Sequence, residues 1–361
     1  MMAVMDKRAV VPLLALVLAI SACAPTRESQ PSAAPTTPVV SVTPAPTETM
    51  PPPVLTPTVA FDGDCTRMLS DAQLDSLLGE GWASYSDKLK EWDVSPVARL
   101  ESVQTLGGIE CRWVAADDAE GGAPQLRLTL LPAEEVPATF ESDFSEPRCD
   151  PSYDVEFCRL AQTRGEAWVM ASVGRTTEEV PVDLLQQAIA DAASSFDGAA
   201  EAASRQDTWW ELPSCDALAG RMRLDEVIGP DFGSGYWEGQ EQPEQTLLDQ
   251  TGVERTCPWF TGDTLPADGE FYIVNVVISS GGAWRWDAIS GHSAAQPVEV
   301  VGAQDAVLFE TGTRSARVFA TDGTNVLSAG GASSEAMVDI ASRALAALGA
   351  DGVSSRGSGT R

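Results

Sequence analysis

The chain has 361 residues, with 53 acidic against 23 basic side chains, a formal charge of -30, one histidine and seven cysteines. The acid excess is shared, 28 acids to 10 bases over residues 61–204 and 21 to 8 over 205–350, so there is no basic patch to neutralise phosphates and nucleic acid is excluded as a partner. A single histidine, and cysteines that pair with one another as argued below, leave no ligand set for zinc; no metal and no cofactor are expected.

The first residues read as an export signal. Positive charge in "MDKR" precedes "AVVPLLALVLAI", an apolar run of signal-peptide length and short of a membrane span. The next stretch, "ISAC" (Ile20 to Cys23), resembles the lipobox of bacterial lipoproteins. The resemblance implies that residues 1–22 are a removed signal peptide and that Cys23 is the lipidated mature N-terminus. The chain would then be held on the extracytoplasmic face of the cell membrane by its N-terminal lipid. An ordinary secretory signal with an incidental cysteine is the alternative. Residues 23–60 follow as a linker, in which ten of residues 24–60 are proline and most others Ser, Thr or Ala. Such a stretch has too little apolar surface to offset its ordering entropy. It is expected to be a disordered, extended spacer of up to ~3 Å per residue, on the order of 100 Å in all. The same composition permits a glycosylated stalk.

Beyond the linker the chain is written twice. "CTRMLSDAQLDSLLG" (Cys65 to Gly79) aligns without a gap on "CDALAGRMRLDEVIG" (Cys215 to Gly229), matching Leu74 to Leu224, Asp75 to Asp225 and Leu78 to Ile228. Ser70 and Gln73 form a capping-box pattern and Gly79 sits where a helix stops, which predicts a short amphipathic helix opening each half. "GGIECRWVAADD" then corresponds to "GVERTCPWFTGD". In the strand patterns that follow, Leu126, Leu128 and Leu130 share one face of "QLRLTLL", and Val274, Val276 and Ile278 share one face of "FYIVNVVIS" with Asn275 opposite. "SARVFATDGTNVLSAG" reads as a hairpin with a two-residue turn at Asp322-Gly323. Each half ends in a helix, with Leu185, Ile189, Ala192 and Phe196 on one stripe and Met337, Ile340, Ala344 and Leu348 on the other. The fold class expected is α+β: two tandem related domains, each an antiparallel sheet covered by an N-terminal and a C-terminal helix. The domains are placed at 61–204 and 205–350, with a disordered tail at 351–361.

Six cysteines remain once Cys23 is set aside, in an oxidising compartment. The repeat selects Cys65 with Cys111 and Cys215 with Cys257, each tying the first helix to the strand that bears Cys-x-Trp. Cys149 and Cys158 share one loop and pair with each other. Chain entropy assigns about 4 kcal/mol to each long loop and about 2.7 kcal/mol to the short one. Trp113 and Trp259 are expected to pack beside the staples as core.

This arrangement resembles a family of secreted actinobacterial domains of unknown function, often lipoproteins, with an early Cys, a later Cys-x-Trp and α+β folds of the PsbP-like kind. It is also similar to the extracytoplasmic sensor domain of a mycobacterial serine/threonine kinase, another disulfide-stapled sheet with a cleft. The carrying residues are Cys65 with Cys111 to Trp113 and Cys215 with Cys257 to Trp259. Cys149 and Cys158 depart from the pattern. Scarce lysine and abundant alanine are similar to proteins of high-GC actinobacteria. The resemblance implies no activity, cofactor or ligand.

Chemistry-bearing groups are sparse. His292, in "SGHSAAQP" beside Ser290 and Ser293, is the only residue able to serve as a histidine base, and no Gly-x-Ser-x-Gly elbow accompanies it. Acid clusters such as Asp117 to Glu120 lack calcium-loop spacing and read as solvated turns. No catalytic residue is assigned, and an enzyme is not expected. Aromatic loops stand out instead: "GSGYWEG" with Tyr236 and Trp237, and "SSGGAWRWDAISG" with Trp284 and Trp286. On an extended segment Trp284 and Trp286 point the same way, with Arg285 opposite. They either bind a glycan, peptide or lipid, or close the contact between domains and cap the core. The function expected is a binding or sensing module for an unknown envelope ligand or protein partner. A structural, envelope-maintenance scaffold is the alternative, and a hydrolase built on His292 a third reading.

Overall fold

A computed structural model describes residues 55–91, 99–115, 125–152, 155–175, 182–236, 242–261, 273–312 and 315–354. The export signal, Cys23, most of the linker, the Asp117 to Glu120 cluster, Trp237 and the end of the tail lie outside these residues. None of the described helices is long and apolar enough to cross a membrane.

The chain is an α+β protein with two antiparallel sheets and three disulfides. The first sheet contains β1 (Ala83–Ser84), β2 (Ile109–Val114), β3 (Gln125–Pro132), β4 (Arg148–Ser152), β5 (Val155–Arg164) and β6 (Ala167–Arg175), in the order β1-β2-β3-β6-β5-β4. The second contains β7 (Phe232–Ser234), β8 (Glu254–Thr261), β9 (Ile273–Ser279), β10 (Gln296–Pro297), β11 (Asp305–Gly312), β12 (Ser315–Thr321) and β13 (Val326–Gly330), in the order β10-β11-β12-β13-β9-β8-β7. The helices are α1 (Asp71–Leu78), α2 (Tyr85–Glu91), α3 (Ala138–Glu141), α4 (Val182–Ser195), α5 (Cys215–Met222), α6 (Asp225–Ile228), α7 (Pro243–Gln250), α8 (Trp286–Ser290) and α9 (Ser334–Ser354).

Alternation decides which face each strand buries. Leu126, Leu128 and Leu130 of β3 enter one interior with Leu185, Ala188, Ile189 and Ala192 of α4. Val274, Val276 and Ile278 of β9 enter another with Met337, Ile340, Ala344 and Leu348 of α9. The staples join Cys65 to Cys111 and Cys215 to Cys257, with Cα separations of 5.6 and 5.2 Å, and Cys149 to Cys158 directly across β4 and β5. Trp113 and Trp259 are buried beside them, at 3% and 0% exposure.

Four local expectations are revised. The opening segments, equal in length, divide differently. In the first, Cys65–Arg67 is only a 3-10 turn, and Gln73 Oε1 accepts from the Ser70 N–H (2.8 Å) and hydroxyl (2.7 Å) to restart the chain as α1. In the second, Gly220 stands where Ser70 would, the cap lies earlier at Ser214, and α5 begins at Cys215 itself. The β12–β13 turn has four residues, since Thr321 pairs with Val326; Asp322 Oδ1 accepts from the N–H groups of Thr324 (2.9 Å) and Asn325 (2.8 Å). The folded part reaches back into the expected linker, where Thr58 pairs with Glu201 and Ala60 is buried. At the other end α9 runs to Ser354, past the expected boundary at 350.

The halves also share an interior. Leu247 and Leu248 of α7, with Val253, pack into one cluster with Phe140, Trp168 and Met170 of the first half. The connecting segment is held by Asn325, whose Oδ1 accepts from Trp210 N (3.2 Å) and Gly281 N (3.0 Å) and whose amide donates to Thr208 O (2.9 Å). Gly281 is required there: its φ is +72°, and a Cβ would lie 2.2 Å from the Trp209 ring.

Candidate functional site

The strand positions that alternate with the core form a second face on each sheet, and these faces line a cleft between the halves. On the second sheet, register sets Arg317, Gly330 and Asn275 in one row, Phe319, Ser328, Val277 and Thr256 in the next, and Thr321, Val326, Ser279 and Glu254 in a third. On the first sheet Glu110 and Arg112 of β2 lie beside Thr129 and Arg127 of β3. The space consists of two adjoining hollows of about 1040 and 830 Å³, which share Tyr85, Glu101, Gln245, Glu254 and Arg285 in their walls. That volume suits a ligand of small-molecule size.

The wall from the first half is charge-paired. Arg112 Nε lies 2.6 Å from Glu110 Oε1, and Arg127 Nη1 lies 3.2 Å from Glu244 Oε2. Glu244 is supplied by the first turn of α7, which Pro243 opens, so this pair crosses from half to half. The Glu244 oxygen is buried and makes a close ion pair without an aligned hydrogen bond. Arg159 Nη2 donates to Gln242 Oε1 (3.1 Å) in the same seam.

The centre of the seam is a short proton-bearing chain. Ser102 donates its hydroxyl to Glu254 Oε2 (2.5 Å) and lies 2.9 Å from the Ser279 hydroxyl. Either hydroxyl can be the donor in the Ser102–Ser279 bond. Burial pushes the Glu254 carboxyl above the usual carboxylate range; the hydrogen bonds from Ser102 and Thr256 act the other way, and the charge of Glu110 adds to the rise.

A latch closes one end. Arg285 Nη1 lies 2.5 Å from Glu101 Oε2 and donates to Gln104 Oε1 (2.8 Å), while Gln104 Nε2 donates back to Glu101 Oε2 (2.8 Å). Glu101 adopts φ 51°, a left-handed conformation disfavoured for a residue with a Cβ and held here by those contacts. Trp284 Nε1 donates to Thr105 Oγ1 across the same contact (3.1 Å).

The aromatic residues expected to form one binding face are spread apart. The segment is helical, with Gly282–Arg285 a 3-10 turn that runs into α8, so Trp284 and Trp286 do not share a direction. Trp284 lines the smaller hollow. Trp286 packs beside Ile289 and Phe309 and donates to Asp305 Oδ2 (2.9 Å). Tyr236 lies at a separate depression of about 390 Å³ and donates to Gln245 Oε1 (2.8 Å). His292 lines the larger hollow; its Nδ1 accepts the backbone N–H of Ala294 (3.2 Å) rather than facing a serine, and its ring stands edge-on to Phe309. Among the described residues, no group of three or more His, Cys, Asp or Glu side chains converges as a metal site.

Sequence reading missed Glu254, Ser102, Arg285 and Arg317. A usable signal existed for Arg317: "SARVFAT" places one charged residue on the face that alternates with Ala316, Val318 and Ala320, all buried in the core under α9.

No protein-family model matches the chain, and no curated protein matches it. Among solved structures, it is similar to the di-domain ARO/CYC StfQ from the steffimycin biosynthetic pathway, at 10% identity over 69% of this chain and 85% of that one, with a TM-score of 0.17. At that TM-score the likeness carries no argument about fold or activity.

Proposed function

We propose that the chain is a lipid-anchored extracytoplasmic binding module whose ligand site is the cleft between its two sheets. The halves are tandem related domains, each a sheet covered by an opening and a closing helix, and their opposite faces, covered in part by α7 and α8, are turned towards one another to make the site. The observation that carries this reading is a cleft of about 1040 Å³ walled by charged, hydroxyl, amide and aromatic groups from both halves. Trp284 lines the adjoining hollow of about 830 Å³; Trp286 and Tyr236 line neither hollow. A scaffold role is the second reading, favoured by the interior that Trp168 and Leu247 share, which makes the halves a single stiff spacer.

Two measurements test this. Membrane fractionation of the native chain and of Cys23→Ser should find the first with membranes and the second in the soluble extracytoplasmic fraction; equal distribution refutes the anchor. Small molecules extracted from the envelope should raise the melting temperature of the native chain, and Asn275→Trp, which fills the cleft floor, should abolish the rise. A rise that survives the filling places the site elsewhere. No rise with either protein favours the scaffold.

A further inference from the structure

One charged group in the cleft stands apart from the rest. Arg317 projects from β12 over Gly330, where the absence of a side chain leaves room: a Cβ on Gly330 would come within 3.2 Å of Arg317 Nε and 3.3 Å of Cζ. The guanidinium thus lies on the floor between its own strand and Asn275, the next side chain along the row. It donates to a hydroxyl, Ser328 Oγ, at 3.3 Å from Nη1. No carboxylate lies within ion-pair distance among the described residues, although the chain holds 53 acids. A guanidinium carries five N–H donors, so most of the recognition capacity of Arg317 is uncommitted. Burial lowers its pKa from the ordinary guanidinium value, and it keeps its charge at neutral pH.

The surroundings define the rest of the ligand. The larger hollow is lined by Lys90, Arg99, Arg285 and Arg317 against Glu101 and Glu254; Lys90 is paired with Asp87 and Arg285 with Glu101, while Arg99 and Arg317 have no carboxylate partner among the described residues. Of the two acids, Glu101 is taken by Arg285 and Glu254 by Ser102. Next to Arg317 the wall turns apolar, with the half-buried Val277 and Leu100 backed by the buried Phe319 and Ile289. A cationic fork beside an apolar wall matches a head and a body of one molecule.

We propose that the cleft takes an amphiphilic acid, with a carboxylate or phosphate head on Arg317 and an apolar body along Val277 and Leu100. This rests on the cleft being the ligand site. The acid comes either from a free organic acid or from a lipid whose head group carries the phosphate.

The test uses the full chain as Cys23→Ser, freed of its signal peptide and carrying no lipid of its own, with calorimetric titration of decanoate, decyl phosphate, decanol and decyltrimethylammonium below their aggregation limits. Either anion should bind at least about 10-fold more tightly than decanol, as expected for a charge-assisted pair. Arg317→Gln should remove that advantage and leave decanol binding unchanged, and Arg317→Lys should restore part of it. Melting curves of both variants show that each is folded. Sedimentation with phosphatidylcholine vesicles, with and without phosphatidic acid, separates the sources: Arg317-dependent binding to the acidic vesicles assigns a lipid, and anion binding without it assigns a free acid. Anions that bind no better than decanol, or as well to Arg317→Gln as to the native chain, overturn the proposal. Decanol and anions binding alike, both abolished by Asn275→Trp, would overturn the anion anchor and leave the cleft standing as a site. Arg317-dependent anion binding that Asn275→Trp leaves intact would overturn the cleft instead.

Discussion

On the cleft-side face of the first sheet, Arg112 stands against Glu110 and Arg127 against Glu244, an acid delivered by a helix from the other half. On the corresponding face of the second sheet, Arg317 has a serine hydroxyl and open space. Both faces arise from the same alternation of strand residues, and both sheets are stapled by a disulfide at Cys-x-Trp. The difference lies in what is placed opposite. The Arg127–Glu244 pair joins the halves across the seam; an unmatched cation beside an unfilled volume preserves a place for something else.

The seam side of this contrast is the easier to break. Leu247→Ala removes a fully buried side chain from the shared interior, and should cost about 2–5 kcal/mol. Calorimetry of the native chain should show one transition, and this variant should lower it or resolve it into two. A native chain that already melts in two steps would mean that the shared interior does not couple the halves. Removing one staple, as Cys65→Ala with Cys111→Ala, should cost about 2–4 kcal/mol in urea denaturation, and Cys149→Ala with Cys158→Ala less, because the loop it closes is shorter. Equal losses would contradict the loop-length account. Arg285→Met should cost about 1 kcal/mol, since its ion pair with Glu101 is partly exposed and discounted accordingly. Hydrogen exchange should report faster opening of the Glu101 to Leu106 turn in that variant.

The smallest effect is one of pH. Glu254 holds its proton to higher pH in the folded chain than in the unfolded one. Its contribution therefore favours the fold while protonated, and is lost as pH rises from the ordinary carboxylate value through the raised folded value. Relative to Glu254→Gln, the native chain should lose stability across that window and then level off. A native chain that gains on the variant as pH rises would show that Ser102 and Thr256 outweigh burial.

Much of the fold is legible because it is periodic or repeated. Leu126, Leu128 and Leu130 announce a buried face by their spacing, and the duplicated Cys-x-Trp fixes two staples. What joins the halves has no such signature. "PEQTLLDQ" is too short for its Leu247 and Leu248 to say which sheet they cover, and they cover the other half's. "SGGAWRW" was open to an extended reading because alternation of Trp, Arg and Trp fits a strand; the turn begun at Gly281, with Trp209 packed against it, winds it into a helix instead. The cleft is less legible still, since Ser102 and Glu254 are 152 residues apart and neither is unusual in its own surroundings.

The pairing of Thr58 with Glu201 bears on how the chain responds to being pulled. Two backbone hydrogen bonds of 2.9 Å join these residues, and neighbouring bonds run from Ala60 N to Gly107 O (2.8 Å) and from Ala203 N to Thr105 O (2.9 Å). Tension applied upstream of Leu55 therefore does not arrive at a free end. It loads a small clasp that grips the entrance of the folded part, the exit of its first half and the turn behind Gly107 together. Yielding there would come bond by bond, as in peeling, and would release a few residues before the Cys65–Cys111 staple felt the load. The clasp is thus the first part of the fold to yield when the described chain is pulled from its N-terminal side.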